Sequence, residues 1–252
     1  MIAKEELTTI AHMKGLHTKN AEKDYLLELT LHSFSKFGNI LAFKGGTALY
    51  KFYNLNRFSE DLDFTLNTRR INLEKMMQQL LSNTSMIGIR GSIEEQRHYK
   101  NEINVRTTFC GPLYDGSKTS MTRITINISV RERPQYVTKA FFVPTYQEIP
   151  SFTVHVLDAR EILAEKIRAI MTREKPRDVY DFWFLLQRGI AIDDELVKKK
   201  LKICHISFQK QKLLEHIERK RGAWKQDLQG LLIGSLPDFK DILQDIMDYL
   251  NV

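Results

Sequence analysis

The segment KGGTALYKFYNLNRFSEDLDFTL, residues 44–66, decides the fold. It follows an apolar run at residues 40–43, which predicts a strand that ends directly at two glycines. A helix to about Tyr53 is expected after this turn. Glycine lets the backbone approach a ligand here, and a helix N-terminus presents free N–H groups. The turn therefore suits a phosphate, although most glycine pairs are turns and nothing more.

Two acids stand near the end of this segment, around a predicted strand at residues 62–66. Asp61 and Asp63 are two positions apart, so a strand places both side chains on one face, roughly 7 Å apart at the backbone. Two such carboxylates repel each other, and a hard cation such as Mg²⁺ between them offsets the repulsion. Alone, Asp-x-Asp is typical of a solvated strand end. After a Gly-Gly-Thr turn, it indicates a phosphate site that faces a metal site.

The remaining pattern predicts an α+β first half and a helical second half. Two helices are expected in the first forty residues, the second with Asn20 as N-cap and ending at Gly38. Another helix is predicted over residues 73–81, with strands over 87–97, 103–109, 123–131 and 152–157. The expected domains are residues 1–157, the catalytic half, and residues 158–252, the helical half.

Composition excludes several classes of protein. With 42% hydrophobic and 27% charged residues among 252, the chain is expected to fold as one large or two small domains. Its apolar runs are far shorter than the roughly 18 residues of a bilayer crossing, and MIAKEELTTI lacks a signal-peptide core. A cytoplasmic protein without a membrane partner is therefore expected. Cys110 and Cys204 have no CxxC partner, which excludes a disulfide framework and a zinc knuckle.

The net charge of +7 is concentrated in one tract, residues 198–225. This basic tract holds ten basic and two acidic residues, so the rest of the chain is close to neutral. A solvated helix face and a platform for a polyanion explain it equally well. The second explanation makes nucleic acid the partner. Its candidate contacts are Lys198, Lys199, Lys200, Lys202, Arg219, Lys220 and Arg221.

The glycine turn and the acid pair together resemble the first motif of polymerase-beta-like nucleotidyltransferases. More narrowly, residues 43–64 resemble the AbiEii-type toxin nucleotidyltransferases of type IV toxin–antitoxin and abortive-infection systems. Two later blocks, LDAREILAEK at 157–166 and KPRDVYDF at 175–182, match as well. The resemblance covers residues 40–188. It implies a polymerase-beta-like core with a helical C-terminal half and an active site between the two halves.

The resemblance also implies roles for individual residues. Asp61 and Asp63 bind the catalytic Mg²⁺, and Lys166 and Asp178 act in catalysis from the helical half. The nucleoside triphosphate (NTP) is bound by Lys44, Gly45, Gly46, Thr47, Lys166 and Arg177. Asp178 and Lys166 also have plainer explanations, because acids near a helix start favour its dipole and lysines commonly cover a solvated face.

One position departs from the superfamily pattern. A third carboxylate is usual on a later strand, where this chain has Asn127. An amide oxygen can coordinate Mg²⁺, so Asn127 is a candidate third metal position, but an amide cannot serve as a base. The general base is therefore left open between Asp63 and another group.

The implied function is transfer of a nucleoside monophosphate (NMP) from an NTP to a hydroxyl, as the toxin of a defence system with a cognate antitoxin. By resemblance the acceptor is a tRNA 3′ end, and a protein hydroxyl is equally open. A degenerate fold that only binds RNA or DNA is the alternative. A metal-dependent phosphohydrolase is less favoured, because no histidine stands near the acid pair.

Overall fold

The computed structural model describes residues 1–251, so Val252, the last residue of the expected helical half, lies outside the described residues. The strands are β1 Leu41–Lys44, β2 Leu62–Leu66, β3 Arg90–His98, β4 Glu102–Cys110, β5 Thr122–Ser129, β6 Val137–Phe142 and β7 Phe152–Leu157. The helices are α1 Lys4–Met13, α2 Thr18–Ser35, α3 Gly45–Phe52, α4 Leu73–Met86, α5 Ala159–Thr172, α6 Pro176–Gln187, α7 Asp194–Lys202, α8 Lys210–Glu218, α9 Trp224–Leu228 and α10 Phe239–Leu250.

The seven strands form one mixed sheet in the order β3-β4-β5-β2-β1-β7-β6. β2 lies at its centre, antiparallel to β1 and parallel to β5. Its side chains alternate, since Leu62 and Phe64 are buried while Asp63 between them is partly exposed. The Phe64 ring packs on Phe34 of α2 at 5.6 Å between centroids. The apolar face of the central strand is thus covered by a helix, and the acids face the other way.

The chain divides into two compact units. The first comprises Met1–Phe52 and Ser59–Leu157, and the second comprises Tyr53–Phe58 together with the chain from Asp158 onward. The short segment Tyr53–Phe58 joins the second unit through a backbone hydrogen bond from Phe58 to the Leu231 carbonyl, 2.7 Å long. The segment between the glycine turn and the acid pair therefore supplies residues to the helical unit.

The second unit is built around helices α5 and α6. The inward face of α5 is apolar, with Ile162, Leu163 and Ile167 fully buried. Aromatic side chains join α6 to the later helices, because the Trp224 ring lies 6.2 Å from Tyr180 and 5.3 Å from Phe239. Among the described residues, no helix has the length and apolarity to cross a bilayer.

The α+β expectation is confirmed, and β2 and β7 begin and end where the sequence predicts. The predicted N-cap at Asn20 is wrong: α2 begins at Thr18, and His17 precedes it without a side-chain capping bond. Burial of Ala21 and Tyr25 in the core places this helix, so packing rather than capping sets its start. The edge strand β6 is not predicted, and α4 continues five residues past the predicted end to Met86.

Candidate active site

The glycine turn joins β1 to α3 without an intervening loop, because Lys44 ends the strand and Gly45 begins the helix. Gly45 has φ +75°, in the left-handed region that favours glycine. A Cβ on Gly45 would lie 3.1 Å from Cγ of Asp63 and would clash with its Oδ2. The Asp63 carboxylate is therefore seated directly against the turn, and only glycine leaves room for it.

Thr47 attaches the turn to the segment that carries the acids. Its buried hydroxyl donates to the Asp61 carbonyl oxygen at 2.5 Å and lies 2.9 Å from the Ser59 hydroxyl. The side chain that the resemblance assigns to phosphate binding is thus engaged inside the protein. Any phosphate contact at Thr47 would use its backbone N–H, which the first turn of a helix leaves without an intrahelical partner.

The two acids share a crowded, half-buried position. Burial and then the charge of Asp63 raise the pKa of Asp61 above its usual value, against the opposing effect of Lys23. Lys44 stands directly across from Asp63 in the β1–β2 register. Within residues 1–251 there is no group of three or more His, Cys, Asp or Glu side chains that could hold a metal ion. Any metal bound by Asp61 and Asp63 would therefore have two carboxylate ligands rather than a larger acidic cluster.

Asn127 lies beside the pair, as its place on the predicted strand requires. It stands opposite Asp63 in the parallel β2–β5 register, and its Nδ2 donates to Asp63 Oδ1 at 2.9 Å. Its amide oxygen accepts from Asn104 Nδ2 at 2.7 Å, and the same nitrogen lies 2.6 Å from Glu102 Oε1. Sequence reasoning missed Glu102 and Asn104, because their position beside β5 depends on strand order and register.

In the second unit, Lys166 and Asp178 are in direct contact and form part of a buried ionic network. Lys166 Nζ lies 2.9 Å from Asp178 and 2.6 Å from Asp181. Arg57 donates two hydrogen bonds to Asp181, and Arg173 donates two to Asp178. Arg57, Lys166 and Arg173 thus contact the two buried carboxylates Asp178 and Asp181. Arg57, Arg173 and Asp181 were not among the predicted site residues.

For Lys166 and Asp178, neighbouring opposite charges affect the pKa more than burial does. Burial opposes the charged form of Lys166, but Asp178 and Asp181 raise its pKa above the usual value. Burial likewise disfavours the Asp178 carboxylate, yet Lys166 and Arg173 hold its pKa well below the usual range. Arg177 lies outside the network: its backbone N–H donates to Asp227 at 3.0 Å, and its guanidinium is partly exposed.

The basic tract is less accessible than its composition indicates. Lys200 is buried and lies 2.6 Å from Glu161. Lys220 is buried and donates to the carbonyl oxygens of Ile170 and His216, each at 2.8 Å. The prediction that these two lysines contact nucleic acid is therefore corrected, because their ammonium groups face the interior. The other five candidates are exposed.

The predicted site residues thus form two sets, each brought together within its own unit. The first set holds the turn, the acid pair and Asn127, and the second holds Lys166 and Asp178. A strand-to-helix glycine turn that closes on paired acids of a mixed sheet defines the class of protein, a nucleotidyltransferase.

The chain belongs to the AbiEii family of nucleotidyltransferase toxins of type IV toxin–antitoxin systems, whose family model matches residues 29–245. MenT4, a nucleotidyltransferase toxin from Mycobacterium tuberculosis, is similar over all of this chain and 90% of its own, with 18% identity and a TM-score of 0.66. JHP933 from Helicobacter pylori is similar over 94% of this chain and 92% of its own, with 19% identity and a TM-score of 0.56. These structures share the fold. No curated protein matches the chain.

Proposed function

We propose that this toxin transfers NMP from an NTP to a hydroxyl of an RNA acceptor, with a tRNA 3′ end as the first acceptor to test, in a Mg²⁺-dependent reaction. The contact between the Asp63 carboxylate and the Gly45 turn carries the proposal, because a carboxylate that could bind a metal lies next to a turn that could bind phosphate. As a family of toxins implies, a cognate antitoxin would control this activity.

The donor set at this corner fits Mg²⁺. Asp61 and Asp63 offer hard carboxylate oxygens, the ligands that Mg²⁺ prefers. Burial, and then the charge of Asp63, raise the pKa of Asp61, and a divalent cation between the two carboxylates would favour the ionised form of both. Asp61 and Asp63 would hold the ion, which would stabilise negative charge on the phosphoryl oxygens during transfer.

The protein groups would then position the triphosphate and the acceptor. The backbone N–H groups in the first turn of α3 would bind phosphate oxygens. The acceptor oxygen attacks the α-phosphorus, and the bond from that phosphorus to the bridging β-phosphate oxygen breaks. Pyrophosphate leaves, and the hydroxyl proton passes to a carboxylate of the acid pair. The chemistry depends mostly on positioning and charge.

For the helical unit, the roles that the resemblance implies for Lys166, Arg177 and Asp178 remain predictions. The Arg173 guanidinium of this network is 56% exposed, and its positive charge would favour an anionic ligand such as a triphosphate. In the basic tract, the exposed candidates for RNA contact are Lys198, Lys199, Lys202, Arg219 and Arg221. Of these, Lys198 and Arg221 pair with Glu195 and Glu218 on the surface, where such pairs are weak.

The test is label transfer from each of the four α-labelled NTPs, with Mg²⁺ and either mixed tRNAs or total protein. The wild type should label one acceptor class, and Asp63→Asn should abolish the labelling while it preserves side-chain shape. Asp248→Asn, on the exposed face of α10, is the matched control and should label as the wild type does.

Three outcomes would contradict the proposal. No transfer with any nucleotide, together with intact RNA binding, would make this chain a binding module. Labelled protein without labelled RNA would move the acceptor to a protein hydroxyl. Phosphate release without any acceptor would indicate a phosphohydrolase.

A further inference from the structure

Four polar side chains form a continuous row across three neighbouring strands, here called the amide row: Glu102 and Asn104 on β4, Asn127 on β5 and Asp63 on β2. Strand pairing aligns three of them, since Asn104 stands opposite Asn127 and Asn127 opposite Asp63. Glu102 precedes Asn104 by two residues and so shares its face of the sheet. The residues between them and beyond, Ile103 and Val105, are buried on the opposite face.

Charge at both ends of the amide row determines how the two amides point. Asp63 accepts only, so Asn127 must turn its NH₂ group toward it, which leaves the Asn127 oxygen facing Asn104. Asn104 must then present its own NH₂ group, which donates to the Asn127 oxygen. The Glu102 carboxylate demands the same orientation, because it accepts from the same nitrogen at 2.6 Å. The reversed amides would set oxygen against oxygen at both carboxylates.

This orientation of the amides changes the role that Asn127 can have at the site. Its oxygen already accepts from Asn104, and its nitrogen is the atom that faces the acid pair. Asn127 therefore acts as a donor to Asp63, in contrast to the metal ligand that the sequence indicates for this position. The bond holds Asp63 Oδ1, while Oδ2 faces the Gly45 turn.

We propose that Glu102 is a positioning residue for nucleotidyl transfer: through Asn104 it fixes Asn127 as a donor, and so orients the Asp63 carboxylate toward the glycine turn. The inference rests on the proposed function, because it assigns Asp63 to the metal. A charged acceptor suits the task, since hydrogen bonds to ionised groups are roughly twice as strong as neutral ones. Without Glu102, only the Asn127 oxygen would favour the required orientation of Asn104.

The test compares Glu102→Ala, Asn104→Ala and the conservative Glu102→Gln with Glu95→Ala. Glu95 is the matched control, because this β3 carboxylate pairs with Arg97 and Arg106 and takes no part in the amide row. The first readout is the side-chain amide NMR signals of Asn127 in metal-free protein. The second is Mn²⁺ affinity by titration calorimetry, and the third is kcat and KM for the NTP.

The alanine variants should move the Asn127 amide signals and weaken Mn²⁺ binding about 10-fold, the lower end of the loss seen when an outer partner of a metal ligand is removed. kcat should fall by a similar factor with KM for the NTP nearly unchanged. Glu102→Gln should restore most of both, because its amide oxygen can accept from Asn104. Glu95→Ala should match the wild type throughout.

Wild-type amide signals and Mn²⁺ affinity in Glu102→Ala and Asn104→Ala would overturn the inference, and so would a loss of equal size in Glu95→Ala. Failure of the proposed function looks different: the wild type itself would bind no Mn²⁺ and transfer no nucleotide. In that case the Asn127 signals would still decide whether Glu102 orients the amide row.

Discussion

Replacement of Gly45 by alanine tests the central contact of the site. Two costs arise in the folded state. A left-handed backbone costs a residue with a Cβ about 1–2 kcal/mol. The new methyl group also meets the Asp63 carboxylate, and overpacking of this kind costs about 1–3 kcal/mol. We therefore expect Gly45→Ala to lower the free energy of unfolding by about 2–5 kcal/mol, the sum of these two ranges.

Gly88→Ala isolates the first of these costs. Gly88 follows α4 with φ +81°, and a Cβ there would have no neighbour within 4 Å. This control should lose only the backbone component, about 1–2 kcal/mol, and should keep full transfer activity. Urea unfolding of both variants gives the difference that belongs to the clash with Asp63.

Activity should separate the two variants more clearly. A reacting group displaced by about 1 Å can cost about 100-fold in rate. Gly45→Ala should therefore lose about 100-fold in kcat for nucleotide transfer at a temperature where both variants are folded. Equal stability of the two variants, or normal transfer by Gly45→Ala, would refute the seating of Asp63 against the turn.

Three further predictions concern charged side chains. Burial and the charge of Asp63 raise the pKa of Asp61, so ionisation of Asp61 destabilises the folded state as pH rises through the folded pKa. Asp61→Asn should therefore stabilise the metal-free protein at pH 7, measured by thermal unfolding. The same variant should lose nucleotide transfer. Lys166→Ala should lower the free energy of unfolding by about 3–5 kcal/mol at pH 7, measured by urea unfolding. The loss should be smaller in acid, because the stability that comes from the lowered pKa of Asp178 is lost as pH falls through the folded pKa. Lys200→Ala should lower the free energy of unfolding by a similar amount, because Lys200 is buried against Glu161. Lys202→Ala, at an exposed position, should change it by no more than about 0.5 kcal/mol. Equal losses in these two variants would contradict the burial of Lys200.

The local sequence pattern was sufficient to predict the glycine turn and the strand next to it, β2. The glycine pair, the following helix and the alternation around Asp63 lie within 23 consecutive residues, and each follows from the conformational preference of a few neighbours. The start of α2 shows the limit of such reasoning. Asn20 is a good capping residue, but tertiary packing placed the N-cap three residues earlier, at His17.

The charged residues show where local pattern stops. Ten basic residues in 28 positions indicate a surface, yet Lys200 reaches Glu161 and Lys220 reaches the Ile170 carbonyl, both far upstream in the chain. Composition counts charges but carries no information on which of them are buried. Arg57 likewise has a partner that its local sequence does not indicate. It lies between the glycine turn and the acid pair in sequence, but it pairs with Asp181 in the helical unit.

From its sequence the protein could be recognised as resembling the nucleotidyltransferases, because the glycine turn and the acid pair that carry the resemblance are contiguous. The amide row from Glu102 to Asp63 could not be found in that way. It exists only because β4, β5 and β2 lie side by side in one register, and a shift of one residue would turn every member to the other face. Strand order and register arise from the packing of the whole sheet, so the fold alone decides which groups surround Asp63.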